Sequence, residues 1–191
     1  MALAEVQKAL ARLFTDKAAR EAFLADPQSA AATLGLDKAD ATLLSAMAPQ
    51  ELRRFSASLA SKRALDARKW TPLVAAALGA RFGPLFAAVP GSGADPARQA
   101  EAFAVHLSML AKQQKIEPPW IGDLARYEAA CVTAGRPRLA FRVRLFRYPV
   151  GLIAVAVARG APVSEARPGL TCGLWLRRPG GRLWSRLWTF A

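Results

Sequence analysis

The sequence is short of the side chains that usually carry catalysis. Its 191 residues include a single histidine, His106, and two cysteines, Cys131 and Cys172. One histidine excludes a multi-histidine metal site supplied by this chain alone. Two cysteines in separate segments exclude a disulfide-dense secreted scaffold and a four-cysteine zinc site, and each reads as a small buried hydrophobe. Long apolar runs are missing as well: the most hydrophobic stretch, Val150 to Ala158, is about half of what a membrane span needs. Glu5 interrupts the alanine-rich start before it can act as a secretion signal. A soluble cytoplasmic protein is the expectation. Neither Pro90-Gly-Ser-Gly nor Pro179-Gly-Gly has the lysine or the flanking elements of a phosphate-binding loop. Asp123 and Glu128 share a helix, but nothing beside them reads as a general acid and base. Binding is favoured over catalysis, and no cofactor is expected in this chain.

Acid is scarce at one end. The chain has 27 Lys/Arg and 14 Asp/Glu, and from Arg136 onward it has eleven arginines, no lysine and one acid, Glu165. That segment alone carries +10 of the net +13, so an anionic partner is expected to meet it. Arginine without lysine has two readings: bidentate contacts to carboxylate or phosphate, or a compositional bias of an Ala/Gly/Pro/Arg-rich chain.

What is abundant is helical punctuation. Leu3, Val6, Leu10 and Leu13 recur at helical spacing, and Asp16 precedes a second helix from Lys17 to Leu24. Asp26-Pro27 supplies a cap and a first-turn proline, Gly35 a stop, and Asp37 with Asp40 an acidic variant of the capping box. Pro49 opens a longer helix with Leu52, Phe55, Leu59 and Leu65 inward and Arg53, Arg54, Lys62 and Arg63 on a solvated face. Thr71-Pro72 repeats the cap signal, and Gly79 to Phe86 reads as a kinked helical pair. Pro90 to Ala94 is a loop, and Asp95-Pro96 restarts a helix carrying Phe103, Leu107 and Leu110 inward, with His106 near its boundary. Trp120 to Ala134, closed by Gly135, is the last helix. Residues 1–135 thus form an all-helical domain.

After Gly135 the period changes to two. Leu139, Phe141, Val143 and Leu145 alternate with Arg138, Ala140, Arg142 and Arg144, as in a half-buried strand. Val150 to Ala158, apolar on both phases, reads as a central strand. Thr171 to Arg178 and Leu183 to Phe190 flank Gly180-Gly181, a hairpin signal. A two-residue loop there pairs Arg178 with Leu183, Arg177 with Trp184 and Trp175 with Arg186. Trp175, Arg177, Trp184, Arg186 and Trp188 then share one face, with Cys172, Leu174, Leu176 and Leu187 on the other. The fold class is α+β: residues 1–135 helical, and residues 136–191 a basic, Trp/Arg-rich antiparallel sheet of about four strands packed on the helices.

The Arg/Trp face is the candidate site. Such a face can stack as cation-π ladders, anchor a protein or peptide, or meet bases and phosphates; it can also be ordinary core, with Trp184 and Trp188 covering the helices. With Arg142 and Arg144 of the preceding strand, the candidate binding residues are Arg142, Arg144, Trp175, Arg177, Trp184, Arg186 and Trp188. A DNA- or single-stranded nucleic-acid-binding regulator is the alternative reading of the basic end. No helix-turn-helix, zinc finger or aromatic RNA-binding motif supports it.

Residues Leu65 to Glu128, including Thr71-Pro-Leu73, Leu78-Gly-Ala-Arg-Phe82 and Pro119-Trp-Ile-Gly-Asp-Leu-Ala-Arg-Tyr-Glu128, carry a resemblance to a known family. Phe23-Leu-Ala-Asp-Pro27 and Leu34-Gly-Leu36 add to it, so it covers about two thirds of the chain. The segment resembles the helical domain of small proteins, described as DNA-binding domains, that act as partner subunits of multinuclear non-haem iron-dependent oxidases modifying ribosomally synthesised peptides. The resemblance implies a non-catalytic subunit in a heterodimer, which binds the oxidase and helps present the precursor peptide. Iron and its ligands would belong to the other chain. It points to the helix of Trp120, Asp123 and Tyr127 as an oxidase interface, although Pro119, Leu124 and Tyr127 also have a purely structural account there. The basic end looks like a short form of the family's β domain, with no functional residues matched.

Overall fold

A computed structural model describes residues 3–46, 49–89, 95–136, 139–163 and 166–190. The architecture is α+β: a largely helical N-terminal region followed by a small antiparallel sheet. The expected loop at Pro90 to Ala94 lies outside the described residues, as do Arg138 at the start of the first expected strand and Glu165. Among the described residues, no helix is long and apolar enough to cross a membrane.

The chain divides into two compact units, Met1–Ala64 and Leu65–Ala191. The first holds α1 (Leu3–Thr15), α2 (Lys17–Ala25), α3 (Pro27–Leu34), α4 (Lys38–Ser45) and the start of α5 (Pro49–Trp70). Its caps are those the sequence announces. Asp16, Asp26 and Asp37 accept from the amides of Ala19, Ser29 and Asp40, which fills orphan donors at three helix starts. Leu13, Phe23, Leu34, Leu44 and Leu52 make the core. The expected inward stripe of α5 is corrected: Leu52 is buried, but Phe55 and Leu65 are more than half exposed. The buried positions are instead Ser56, Ala64 and Ala67, and Phe55 lies against the ring of Phe14. The Ser56 hydroxyl donates to the Phe14 carbonyl at 3.1 Å, which turns the row of Leu52 and Ser56 inward and leaves Phe55 on the flank.

The second unit contains α6 (Pro72–Leu78), a 3-10 turn (Gly79–Arg81), α7 (Phe82–Ala87), α8 (Pro96–Lys112), α9 (Ile121–Ala134), β1 (Ala140–Phe146), α10 (Val150–Ala158), β2 (Thr171–Arg177) and β3 (Trp184–Thr189). Phe82, Phe86 and Phe103 interlock edge-to-face and stacked between α7 and α8. Thr71 does not cap α6 with its side chain. Its hydroxyl donates back to the Ala67 carbonyl, and Glu128 of α9 accepts from the Leu73 and Val74 amides at 2.8 Å each.

Among the described residues the sheet has three strands in the order β1-β2-β3, with neighbouring strands antiparallel, rather than about four. The stretch Val150–Ala158 is a helix, not a central strand. An apolar run without alternation does not distinguish the two. Pro149 stands just before its first turn, and Val150, Ile153 and Ala154 are buried at helical spacing against α6 and α9.

The hairpin register also differs from expectation. Leu176 pairs with Trp184, Trp175 with Ser185 and Leu174 with Arg186. The Gly181 amide donates to the Arg178 carbonyl at 2.9 Å, with Pro179 second and Gly180 third at φ 70°. Proline followed by a left-handed glycine is the type II pattern, so the chain turns before the two glycines can form a two-residue loop. The slip is one residue, which exchanges the faces of β3. Trp175 and Arg177 therefore share the inner face with Leu187, whereas Trp184, Arg186 and Trp188 lie on the outer face with Cys172, Leu174 and Leu176.

Trp175 joins sheet to helix. Fully buried, it packs with Phe146, Ala130 and Ala134 and lies 6.0 Å, centroid to centroid, from Tyr127. The indole lies over Gly173, two residues earlier on the same face, where an added Cβ would come within 2.6 Å of the ring. Trp184 and Trp188, expected as candidates to seal the helices, are instead on the side away from them, 46% and 36% exposed.

Candidate functional site: a trough beside an edge strand

β1 has one strand neighbour, β2, and its other flank carries no strand among the described residues. The alternation of Arg142 and Arg144 with Phe141, Val143 and Leu145 turns both arginines to the inner side, where β1 overhangs α8 and α9. Between them lies a cavity of about 550 Å³. Ala104, Val105 and Met109 of α8 and Ala129 and Ala130 of α9 give it apolar walls, and Arg142, Arg144, Lys112, Arg126 and Glu101 give it charge. A hollow of about 440 Å³ shares Arg142 and Arg144 and continues toward Thr133 and Leu139. Another of about 440 Å³ shares Ser108, Lys112 and Arg126 and continues toward Arg147 and Tyr148. The three form one trough along the strand.

Its cations are not equivalent. Arg142 donates to Glu101 at 3.3 Å, and Glu101 also accepts from the Thr133 hydroxyl at 3.0 Å. Arg126 pairs with Asp123 at 3.0 Å and lies over the Phe146 ring. Arg136, at the far end, is bonded to Asp95, whose carboxyl it holds below the usual range. Arg144 donates to the carbonyl of Val143, and no acid pairs with it or with Lys112 among the described residues. Those two are the charges with capacity for an incoming anion.

The seven candidate binding residues, five of them expected to share one face, are distributed over three places. Arg142 and Arg144 line the trough. Trp175 is core, and Arg177 donates to the Gly135 carbonyl at 2.5 Å, closing the C-terminal end of α9. Trp184, Arg186 and Trp188 stand on the outer face, with the Arg186 guanidinium 5.6 Å from the centre of the Trp188 ring. The helix carrying Trp120, Asp123 and Tyr127 offers little surface. Trp120 is buried and Tyr127 lies half-buried against Trp175, where burial pushes its hydroxyl up to about 12. Asp123 accepts from the Arg147 and Tyr148 amides at 2.6 and 3.1 Å and so fixes the turn after β1. Burial also raises the Cys131 thiol, the opposite of what a thiolate nucleophile needs. His106 is half-buried. No group of three or more His, Cys, Asp or Glu side chains gathers among the described residues.

Val105, Met109, Lys112 and Arg126 were not singled out from the sequence. Val105 and Met109 lie four residues apart on α8 and are 69% and 48% exposed. An apolar pair on the side of the helix away from Leu107 is the signal that could have found them. No family model, curated protein or solved structure matches the chain.

Proposed function

We propose that this chain is a non-catalytic partner protein that holds a peptide in extended form along β1 while a separate enzyme modifies it. The observation that carries the reading is the trough: a free strand edge bordered by apolar side chains and two cations without acid partners. An extended peptide can add to such an edge through its backbone, while alternate side chains enter the trough and fix the register. A carboxylate on that peptide meets Arg144 and Lys112, and the +10 balance of the last 56 residues speeds its approach. The enzyme we assign as partner is a multinuclear iron-dependent oxidase acting on a ribosomally synthesised precursor peptide. That assignment rests on the resemblance of residues 65–128, and the trough supports only its peptide-holding half. Nucleic acid is the weaker reading, because Arg136, Arg142 and Arg177 are engaged with Asp95, Glu101 and the Gly135 carbonyl.

The test is recovery of the tagged full chain from its native cells, followed by separation of the components and metal analysis of each. The reading predicts an oxidase that keeps its iron after separation and a chain that holds none. Recovery of stoichiometric iron with this chain, or oxidase activity from it alone, would sink the reading.

A further inference from the structure

The outer face of the sheet is a second surface, independent of the trough and of the peptide reading. Inner faces of small sheets are covered by the fold, and here α9 lies on β1 and β2. The opposite face is built as if it too had a cover. Phe141 and Leu145 on β1 are 70% and 55% exposed, and Trp184 and Trp188 on β3 bound the other side. Along β2 between them come Leu174 and Leu176. An antiparallel sheet with one face in water normally alternates apolar inside with polar outside, so apolar residues on both faces are the pattern of a sheet covered twice.

We propose that this face docks an acidic amphipathic helix of another protein. Three strands at roughly 4.8 Å spacing present a strip about 10 Å wide, which one helix of about that diameter covers. The sheet's inner side already accepts a helix in this way. Charge selects the occupant. Arg186 stands within the face, stacked on Trp188, and no acid pairs with it among the described residues. Arg178 and Arg182 are exposed at the hairpin end. A second copy would bring Arg186 toward an equally basic surface and set +13 against +13. A helix with leucines on one side and glutamates at its borders meets both features.

The experiment uses the full chain and three probes: a labelled 18-residue Leu/Glu amphipathic helix, the same peptide with lysine in place of every glutamate, and phosphatidylglycerol vesicles. Fluorescence anisotropy and vesicle co-sedimentation give the affinities, and sedimentation velocity gives the oligomeric state. The expected result is binding of the Leu/Glu helix that weakens at least tenfold in a Leu145→Glu, Trp184→Glu double variant with an unchanged melting temperature. Arg186→Glu, a change of an exposed charge, keeps the test open if the double variant is unstable. It should weaken the Leu/Glu helix and strengthen the Leu/Lys helix. Equal affinity for the two helices, or no response to either variant, overturns the proposal. Vesicle binding or self-association that the same variants abolish, without binding of the Leu/Glu helix, overturns it in favour of a membrane or a second copy.

Discussion

Glu128 shows how one side chain can be legible as a letter and illegible as a role. Its spacing in the helix after Pro119 suggested a carboxylate near Asp123, but its partners are the amides of Leu73 and Val74, more than fifty residues away in sequence. Burial pushes its carboxyl up to about 7 against the pull of those two donors. Below about pH 4.5 the group is protonated in both folded and unfolded chains, so its contribution to stability is fully present. As pH rises toward 7 the unfolded carboxyl ionises first, and that contribution is lost, on the order of 3 kcal/mol. The denaturant midpoint should therefore fall between about pH 5 and pH 8, and Glu128→Gln should flatten the decline. Trp175 makes the complementary case. Its aromatic, basic surroundings in sequence suggested a binding anchor, and tertiary packing makes it the joint between sheet and helices. Trp175→Ala should cost about 3 to 5 kcal/mol of stability by chemical denaturation, the range for a large aromatic removed from a core.

Among the elements, those written in caps and prolines were readable. Asp16, Asp26-Pro27, Asp37 and Asp95-Pro96 start helices where the chemistry of orphan amides requires them to. β1 was readable by its alternation, and β2 and β3 by the glycine hairpin signal between them. Two features were not. Val150–Ala158 is apolar on both phases, and only packing against α6 and α9 selects helix. The hairpin carried two turn signals at once, Pro179-Gly180 and Gly180-Gly181, and the first prevails. A substitution pair separates them. Gly180→Ala, at a left-handed position, should lower stability by about 1 kcal/mol, with a smaller loss for Gly181→Ala, whose φ is not positive. Equal losses in thermal melts would instead indicate a two-glycine loop and restore the other register. That register decides the site, because the one-residue slip moves Trp184, Arg186 and Trp188 away from Trp175 and leaves the trough to Arg142 and Arg144.

At the scale of the whole molecule, secondary structure and compactness divide the chain differently. The first strand follows Gly135, as the change of period indicates, although α10 returns between β1 and β2, while the division into compact units falls at Ala64 and Leu65 within α5. Sequence patterns register the first kind of boundary and are blind to the second, because α5 continues across it without a break in helical signal. A fragment of residues 136–191 should consequently show no cooperative melt, since Trp175 needs Ala130 and Ala134 of α9 beside it. The charge of +13 indicated an anionic partner, but not that most arginines near β1 are engaged within the fold. The trough was only half visible: its strand was on the surface of the sequence, whereas its α8 wall depended on the fold. Whether a peptide adds to the free edge of β1 is decided by amide hydrogen exchange of the full chain, alone and saturated with the tightest binder from an extended-peptide display library. Addition of the peptide to β1 predicts slowed exchange concentrated in Ala140–Phe146. Slowing confined to other segments, with β1 unchanged under saturation, would contradict it.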